Sequence, residues 1–211
     1  METECTLLLG SLDWPGWLAV AFYLALGSLV TRLGYRRKQE QGLAEGRGGR
    51  RGPENVWGSA ATGAALAVLS VWPMAPVILL KIGFAASFAA KLGDTCGSEI
   101  GKRWGRRTVS ITRFQPVPPG TEGAISLEGT LASAGGSALM ALLMLQLGLI
   151  QGGATWLLVT LVGLAATLIE SLIGATVQDR LPWLSNELVN ALQTLIAALL
   201  AMGLAMRLAL A

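Results

Sequence analysis

The sequence predicts an all-α, polytopic integral membrane protein with about six spanning helices. Three observations lead there. Of 211 residues, 53% are hydrophobic and only 14% charged, well short of the roughly one-quarter charged content of soluble domains. The apolar residues gather into runs close to the ~20 needed to cross hydrocarbon. Lys and Arg gather in alternate interhelical segments, the asymmetry that sets membrane topology.

The runs cover roughly 14–33, 56–72, 75–93, 124–148, 154–177 and 184–208. The first follows an acidic start at residues 1–4 with no basic n-region, so it reads as a retained helix rather than a cleaved signal. After it come Arg32, Arg36, Arg37, Lys38, Arg47, Arg50 and Arg51, in a segment whose 42–53 stretch is rich in Gly and Arg. The second run is short. The third ends at Lys91 and is followed by Lys102, Arg103, Arg106, Arg107 and Arg113. Pro118, Pro119 and Gly120 cannot continue a helix, so residues 120–123 read as a turn leading into the fourth. Arg180 lies between the fifth and sixth. The opposite loops, around 72–73 and 151–153, carry no Lys or Arg. The expected topology therefore has cytoplasmic loops at about 34–55, 94–123 and 178–183, with both termini on the non-cytoplasmic side. Trp14, Trp17, Trp57, Trp72, Trp156 and Trp183 fall near helix ends, where an interfacial aromatic belt belongs. The whole chain, 1–211, reads as a single membrane domain without internal repeats.

Composition also excludes chemistry. The net charge of +3 comes from basic residues beside helix ends, where topology and anionic lipid account for them, so no nucleic-acid partner is expected. There is no histidine, which removes His-based acid–base catalysis, His metal ligation and histidine phosphotransfer. Cys5 and Cys96 fall on opposite sides of the expected membrane, so neither a disulfide nor a zinc site is implied.

The most informative stretch is KLGDTCGSEIGKRWG at 91–105. On a helix, residues three and four apart share a face, so Lys91, Asp94, Thr95, Ser98 and Lys102 form one polar stripe. Gly93, Gly97, Gly101 and Gly105 form a second, open to close approach by a helix or a ligand. Three further polar groups fall inside apolar segments, where such residues are costly and tend to be functional. They are Thr121, Glu122, Ser126 and Glu128 at 119–129; Thr167, Glu170, Ser171, Gly174, Gln178 and Asp179 at the end of the fifth run; and Asn186, Asn190 and Gln193 on one face of the sixth. All four groups lie near the cytoplasmic ends of their helices. There is no Walker A, GxGxxG or kinase catalytic-loop motif. Phosphoryl transfer here would need Mg²⁺ on carboxylates and cations or backbone amides on phosphates. Asp94, Glu99, Glu170 and Asp179 are the candidate metal ligands, and the first three are also the candidate catalytic residues. Lys91, Thr95, Ser98, Lys102, Arg103, Gly120, Thr121, Gly123, Ser126, Gln178, Asn186 and Asn190 are the candidate nucleotide- and phosphate-binding residues. Lys81 in the third run is open between an intramembrane ion-pair partner and a snorkelling cation.

With DTCGSEIG at 94–101, PGTEGAISLEGTLAS at 119–133 and ESLIGATVQD at 170–179, the chain resembles the phytyl-phosphate kinase family, membrane proteins of plastids and cyanobacteria. More distantly, GDTCGSEIGKRWG followed by SLEGT is similar to the paired motifs of CTP- and Mg²⁺-dependent polyprenol and dolichol kinases and CDP-diacylglycerol synthases. In those relatives a Lys often precedes the Ser/Thr of the second motif. Ile125 stands there in this chain, leaving that charge to Lys91 or Lys102. The resemblance implies γ-phosphoryl transfer from a nucleoside triphosphate, CTP by implication, to phytyl or another prenyl monophosphate. It implies Mg²⁺ as cofactor and phytyl diphosphate, a tocopherol and prenylquinone precursor, as product. The setting it implies is a cyanobacterial plasma or thylakoid membrane, or a plastid-type one, with the site on the cytoplasmic face. The acceptor is already ionised, so no general base is required, in accord with the missing histidines. The alternatives are another CTP-dependent isoprenoid or lipid phospho- or cytidylyltransferase, and a small transporter using Glu170 and Lys81. Homo-oligomerisation is left open.

Overall fold

The computed structural model describes residues 11–44, 53–177, 181 and 183–211. Among them run seven helices: α1 (Asp13–Arg32), α2 (Tyr35–Glu40), α3 (Pro53–Leu69), α4 (Val77–Trp104), α5 (Leu127–Gln146), α6 (Gly152–Thr176) and α7 (Asn186–Arg207). A two-residue antiparallel pair, β1 (Val109–Ser110) and β2 (Ala124–Ile125), sits between α4 and α5.

The molecule is organised around α4, which packs against α1, α2, α3, α5, α6 and α7. The cause lies in its sequence. From Ile82 to Gly93 every residue is buried, and most are Ala, Gly or Ser. Small side chains on all sides let surrounding helices come close, and a helix that is apolar all round belongs in the centre of a bundle. Phe84 and Phe88 are the aromatic exceptions. Their rings meet at 4.9 Å, and Tyr23 of α1 meets Phe88 edge-on at 5.6 Å, which seats α1 on the axis. α5, α6, α7 and α3 follow one another around it as packed neighbours.

The glycine stripe faces α5. A Cβ at Gly97 would run into the Ser133 hydroxyl and lie 3.1 Å from the Gly129 carbonyl; one at Gly129 would lie 2.9 Å from the Gly97 carbonyl. The two backbones thus touch along a Gly/Ser seam, closed further down by Ser137 Oγ donating to the Ala89 carbonyl at 3.0 Å. The stripe's glycines serve helix approach, and Gly97 and Gly101 also line the cleft described below.

Several boundaries differ from expectation. Four helices, α1, α5, α6 and α7, are long and apolar enough to cross a membrane. The expected second span is the shorter apolar helix Val56–Leu69. The expected third span, 75–93, does not stop at its charged end: α4 continues through Asp94, Glu99 and Lys102 to Trp104, a 28-residue helix. The polar residues of 94–104 face other helices and a cleft rather than lipid, which removes the penalty that would have ended the helix. Of the expected loop 94–123, the first part is therefore helical. Its remainder folds back as a hairpin, tied by Ser110 N–H to the Gln115 carbonyl at 2.9 Å, Val117 N–H to Thr108 at 3.0 Å and Ile111 N–H to Gly123 at 3.0 Å. The small sheet is a departure from an all-helical chain, produced by β-branched residues beside prolines that cannot enter a helix. The expected fourth helix begins at Leu127 rather than 124 because Ser126 is extended and caps it, accepting from Gly129 N–H at 3.1 Å. The expected loop 34–55 contains α2 and the start of α3. Of the loop 178–183, only Leu181 and Trp183 are among the described residues.

Candidate functional site

The charged half of α4 forms one wall of a cleft of about 230 Å³. Four other pieces complete it: the end of α1, the hairpin with the start of α5, the last turns of α6, and the first turn of α7. Lys91, Asp94, Thr95, Ser98 and Lys102 line it from α4. Gly120, Thr121, Gly123 and Ser126 come from the hairpin side, Glu170 from α6, and Asn186 and Asn190 from α7. The four polar groups seen in the sequence meet in this space.

Its floor is a tight constellation. Lys91, only 3% exposed, donates from Nζ to Asp94 Oδ2 at 2.6 Å and to Asn190 Oδ1 at 2.7 Å. Thr95 Oγ1 donates to the Lys91 carbonyl at 3.0 Å, and Ser98 Oγ to the Thr95 carbonyl at 3.3 Å. Lys91 and Asp94 share the cleft with Glu170, which is within electrostatic reach of both. Below them, Thr167 Oγ1 donates to the Ala90 carbonyl at 3.3 Å. Gln193, fully buried, donates from Nε2 to the Ala90 carbonyl and to Thr167 Oγ1, each at 3.4 Å. These bonds tie α4, α6 and α7 together directly beneath the site, so the carboxylates are set by helix packing rather than by loops.

The hairpin is held against α6. At Gly123 (φ +68°) a Cβ would collide with Ala175 and approach the Ser171 carbonyl to 2.8 Å; the positive φ and the close contact both call for glycine. The Thr121 hydroxyl donates to the Pro118 carbonyl at 2.8 Å, fixing the turn at the mouth of the cleft. On α5, Ser126 and Thr130 line the cleft while Leu127 and Leu131, one position on, are 71% and 63% exposed. Inner polar wall and outer apolar face therefore lie at the same height.

Two candidates point elsewhere. Glu99 sits on the opposite flank of α4, 3% exposed, in an ion pair with Lys38 of α2, which is itself fully buried and donates to the Thr31 carbonyl at 2.7 Å. Its two-sided helical phase carries it off the Lys91–Lys102 stripe. Arg103 likewise turns to the α1–α2 elbow, where a Cβ on Gly34 (φ +63°) would meet its side chain, and its guanidinium lies 4.9 Å over the Trp104 ring. Gln178 and Asp179 lie outside the described residues. Lys81 does not line the cleft; it is thirteen residues before Asp94 on the same helix, or about 20 Å along the axis. Thr31, Thr108, Thr130 and Ser133 line the cleft without having been singled out. Only Ser133 left a signal, its four-residue spacing from Gly129 and Ser137.

For a divalent cation, Asp94 and Glu170 from the helices and Glu122 from the hairpin are carboxylates lining one cleft, with amide and hydroxyl oxygens beside them. Among the described residues no three Asp, Glu, Cys or His side chains cluster closely enough to form a complete cage. Hard oxygen donors, carboxylates among them, and no sulfur or imidazole fit Mg²⁺ in the form that takes its remaining ligands from phosphates and water. They do not fit a zinc site.

A polar, carboxylate-bearing cleft set into one end of an apolar helical bundle fits an integral membrane protein. The chain belongs to the integral membrane protein family DUF92, which it matches over residues 3–198. It is 48% identical over 195 residues to an uncharacterised membrane protein of the cyanobacterium Synechocystis, covering 92% of this chain and 75% of that one. It is 41% identical over 204 residues to the chloroplastic protein VTE6 of Arabidopsis thaliana, covering 92% of this chain and 61% of that one. A Methanocaldococcus jannaschii membrane protein is 31% identical over 185 residues, 87% of this chain and 73% of that one. No solved structure matches.

Proposed function

We propose that the protein is a prenyl-monophosphate kinase, transferring the γ-phosphoryl group of CTP to phytyl or a related prenyl monophosphate in the presence of Mg²⁺. The observation that carries this reading is the pairing of Lys91 with Asp94 on the floor of a cleft that Glu170, Lys102 and the 120–123 turn also face. Cations, carboxylates and hydroxyls in one water-accessible hollow are the equipment phosphoryl transfer needs. Kinship with a cyanobacterial and a chloroplastic protein fits the resemblance of the three motifs to a family of those same membranes.

In the step proposed, an acceptor phosphate oxygen forms a bond to the γ-phosphorus while the bond from that phosphorus to the β,γ-bridging oxygen breaks. The nucleoside diphosphate leaves with the electron pair. No proton is abstracted, so no base is needed. Lys91 and Lys102 draw the two phosphates together against their mutual repulsion, and Ser98, Thr121 and Ser126 orient their oxygens. Asp94 and Glu170 would hold Mg²⁺, which when bound spreads the charge of the triphosphate. The positive-inside rule puts this end of the bundle in the cytoplasm, with α3 and α4 completing six passes. The transporter reading needs Lys81 and Glu170 on one path, whereas Glu170 opens into a cleft that Lys81 does not line.

The test uses purified protein in nanodiscs with CTP labelled at either the α or the γ phosphorus and a panel of prenyl monophosphates. The γ label in a prenyl diphosphate is the expected result. The α label in the lipid product would make the protein a cytidylyltransferase. No labelled lipid with any nucleotide would end the enzyme reading.

A further inference from the structure

Two oxygen-bearing side chains from two helices, Asp94 and Asn190, hold a single cation, with Glu170 of a third helix lining the same cleft, and that cation is the chain's own Lys91 ammonium. We propose that this is a cation-binding site occupied by a tethered resident, in which Lys91 competes with a divalent metal for Asp94 and Asn190 and gives way only when phosphate offers its ammonium another partner.

The geometry supports competition rather than coexistence. Lys91 Nζ lies 2.6 Å from one carboxylate oxygen and 2.7 Å from an amide oxygen. A metal taking the same two oxygens would have to stand where the ammonium stands. Two cations at hydrogen-bond separation in a buried pocket repel strongly. The side chain is also well placed to leave. Lys91 is at the floor of a cleft whose mouth carries Lys102 and the hydroxyls of Ser98 and Thr121. A phosphate arriving there would present a stronger anionic partner along the path of a flexible four-carbon stem. The free protein would then hold divalent cations weakly, and metal and nucleotide would enter together. That ordering would keep the carboxylates from trapping metal without substrate, and it would leave neither Asp94 nor Lys91 buried without an opposite charge at any stage, a situation that is strongly destabilising.

The proposal rests on the phosphotransfer reading for the destination of the ammonium, but its test reads cation binding alone. Mn²⁺ affinity is measured without nucleotide by electron paramagnetic resonance, together with melting temperature in chelator and in Mn²⁺. Wild type should bind Mn²⁺ weakly. Lys91→Met should bind it more tightly by about one to three powers of ten, the scale on which a neighbouring charge moves such an equilibrium. Lys91→Arg, which keeps the cation, should not. Lys91→Met should also melt earlier than wild type in chelator and recover in Mn²⁺. The double variant Lys91→Met with Asp94→Asn should lose both effects. If Lys91→Met cannot be purified, Asn190→Asp serves instead: the added carboxylate exceeds what one ammonium can neutralise, so Mn²⁺ binding should rise by about tenfold or more. Unchanged affinity in Lys91→Met, or in Asn190→Asp where it stands in, overturns the proposal. So does an equal gain in Lys91→Arg, or a gain that survives loss of Asp94. A kinase assay that fails while these bindings hold would overturn the reaction and leave the site.

Discussion

At the scale of single residues, Asp94 and Glu170 are the helix-borne carboxylates that line the cleft, beside Glu122 of the hairpin, and the transfer rate should respond alike to loss of charge at either. Asp94→Asn and Glu170→Gln keep shape and hydrogen-bonding capacity. Each is expected to lower the transfer rate by at least ~10²-fold, the size of losing one strong electrostatic contact in the transition state; Glu170→Gln should leave the melting temperature in detergent little changed, whereas Asp94→Asn, which strips buried Lys91 of its carboxylate partner, should also lower it. A normal rate at limiting Mg²⁺ in either variant would reduce that residue to packing. Glu99 was indistinguishable from them in the sequence, being another carboxylate on the same helix in the same motif. What separates it is a partner sixty-one residues away, Lys38, and no local pattern in the chain announces that a lysine of the short helix α2 will bury itself against α4. Glu99→Gln should therefore act on stability: breaking a buried pair from one side costs about 3–5 kcal/mol, read as a large drop in melting temperature. The reciprocal exchange Lys38→Glu with Glu99→Lys should recover part of it, which loss of a metal ligand would not.

At the scale of elements, helix identity and order were readable because long apolar runs and four-residue glycine spacing are local signals. Where the chain departed from them, a tertiary contact intervened. α4 ran on through Asp94 and Lys102 because neighbours and a cleft received those groups. The 106–125 segment gained a sheet because Ile111 found Gly123 and Val117 found Thr108 across it. The α4–α5 seam allows a clean comparison on two glycines. Gly97→Ala drives a Cβ into Ser133, whereas the same change at Gly135, around which nothing lies within 4 Å, meets open space. Gly97→Ala is expected to destabilise by about 1–3 kcal/mol through overpacking. Gly135→Ala should be neutral or stabilising by up to about 1 kcal/mol, since alanine favours a helix. Thermal melts of the two variants in one detergent check both signs.

At the scale of the whole molecule, charge is polarised: the cleft, the hairpin and the described arginines after α1 and α4 share one end. Cysteines placed at 111–115 should react with an impermeant reagent only from the cytoplasmic side, and one at 151 only from the other; labelling of 111–115 from both sides would undo the assigned orientation. Cys96, buried against Gly136, gives such labels little background among the described residues. The pairing of Ser126 and Thr130 inside with Leu127 and Leu131 outside has a kinetic consequence. A lipid lying along those leucines already carries its headgroup at the height of the polar wall, so it need not be lifted from the bilayer, a step that would forfeit about 0.8 kcal/mol for each methylene exposed to water. An acceptor of the proposed reaction would then be found by a two-dimensional search, and the rate should follow its mole fraction in the membrane. Diluting it with inert lipid at fixed bulk concentration should slow the reaction, while diluting the whole suspension with buffer at saturating nucleotide should leave turnover per protein unchanged.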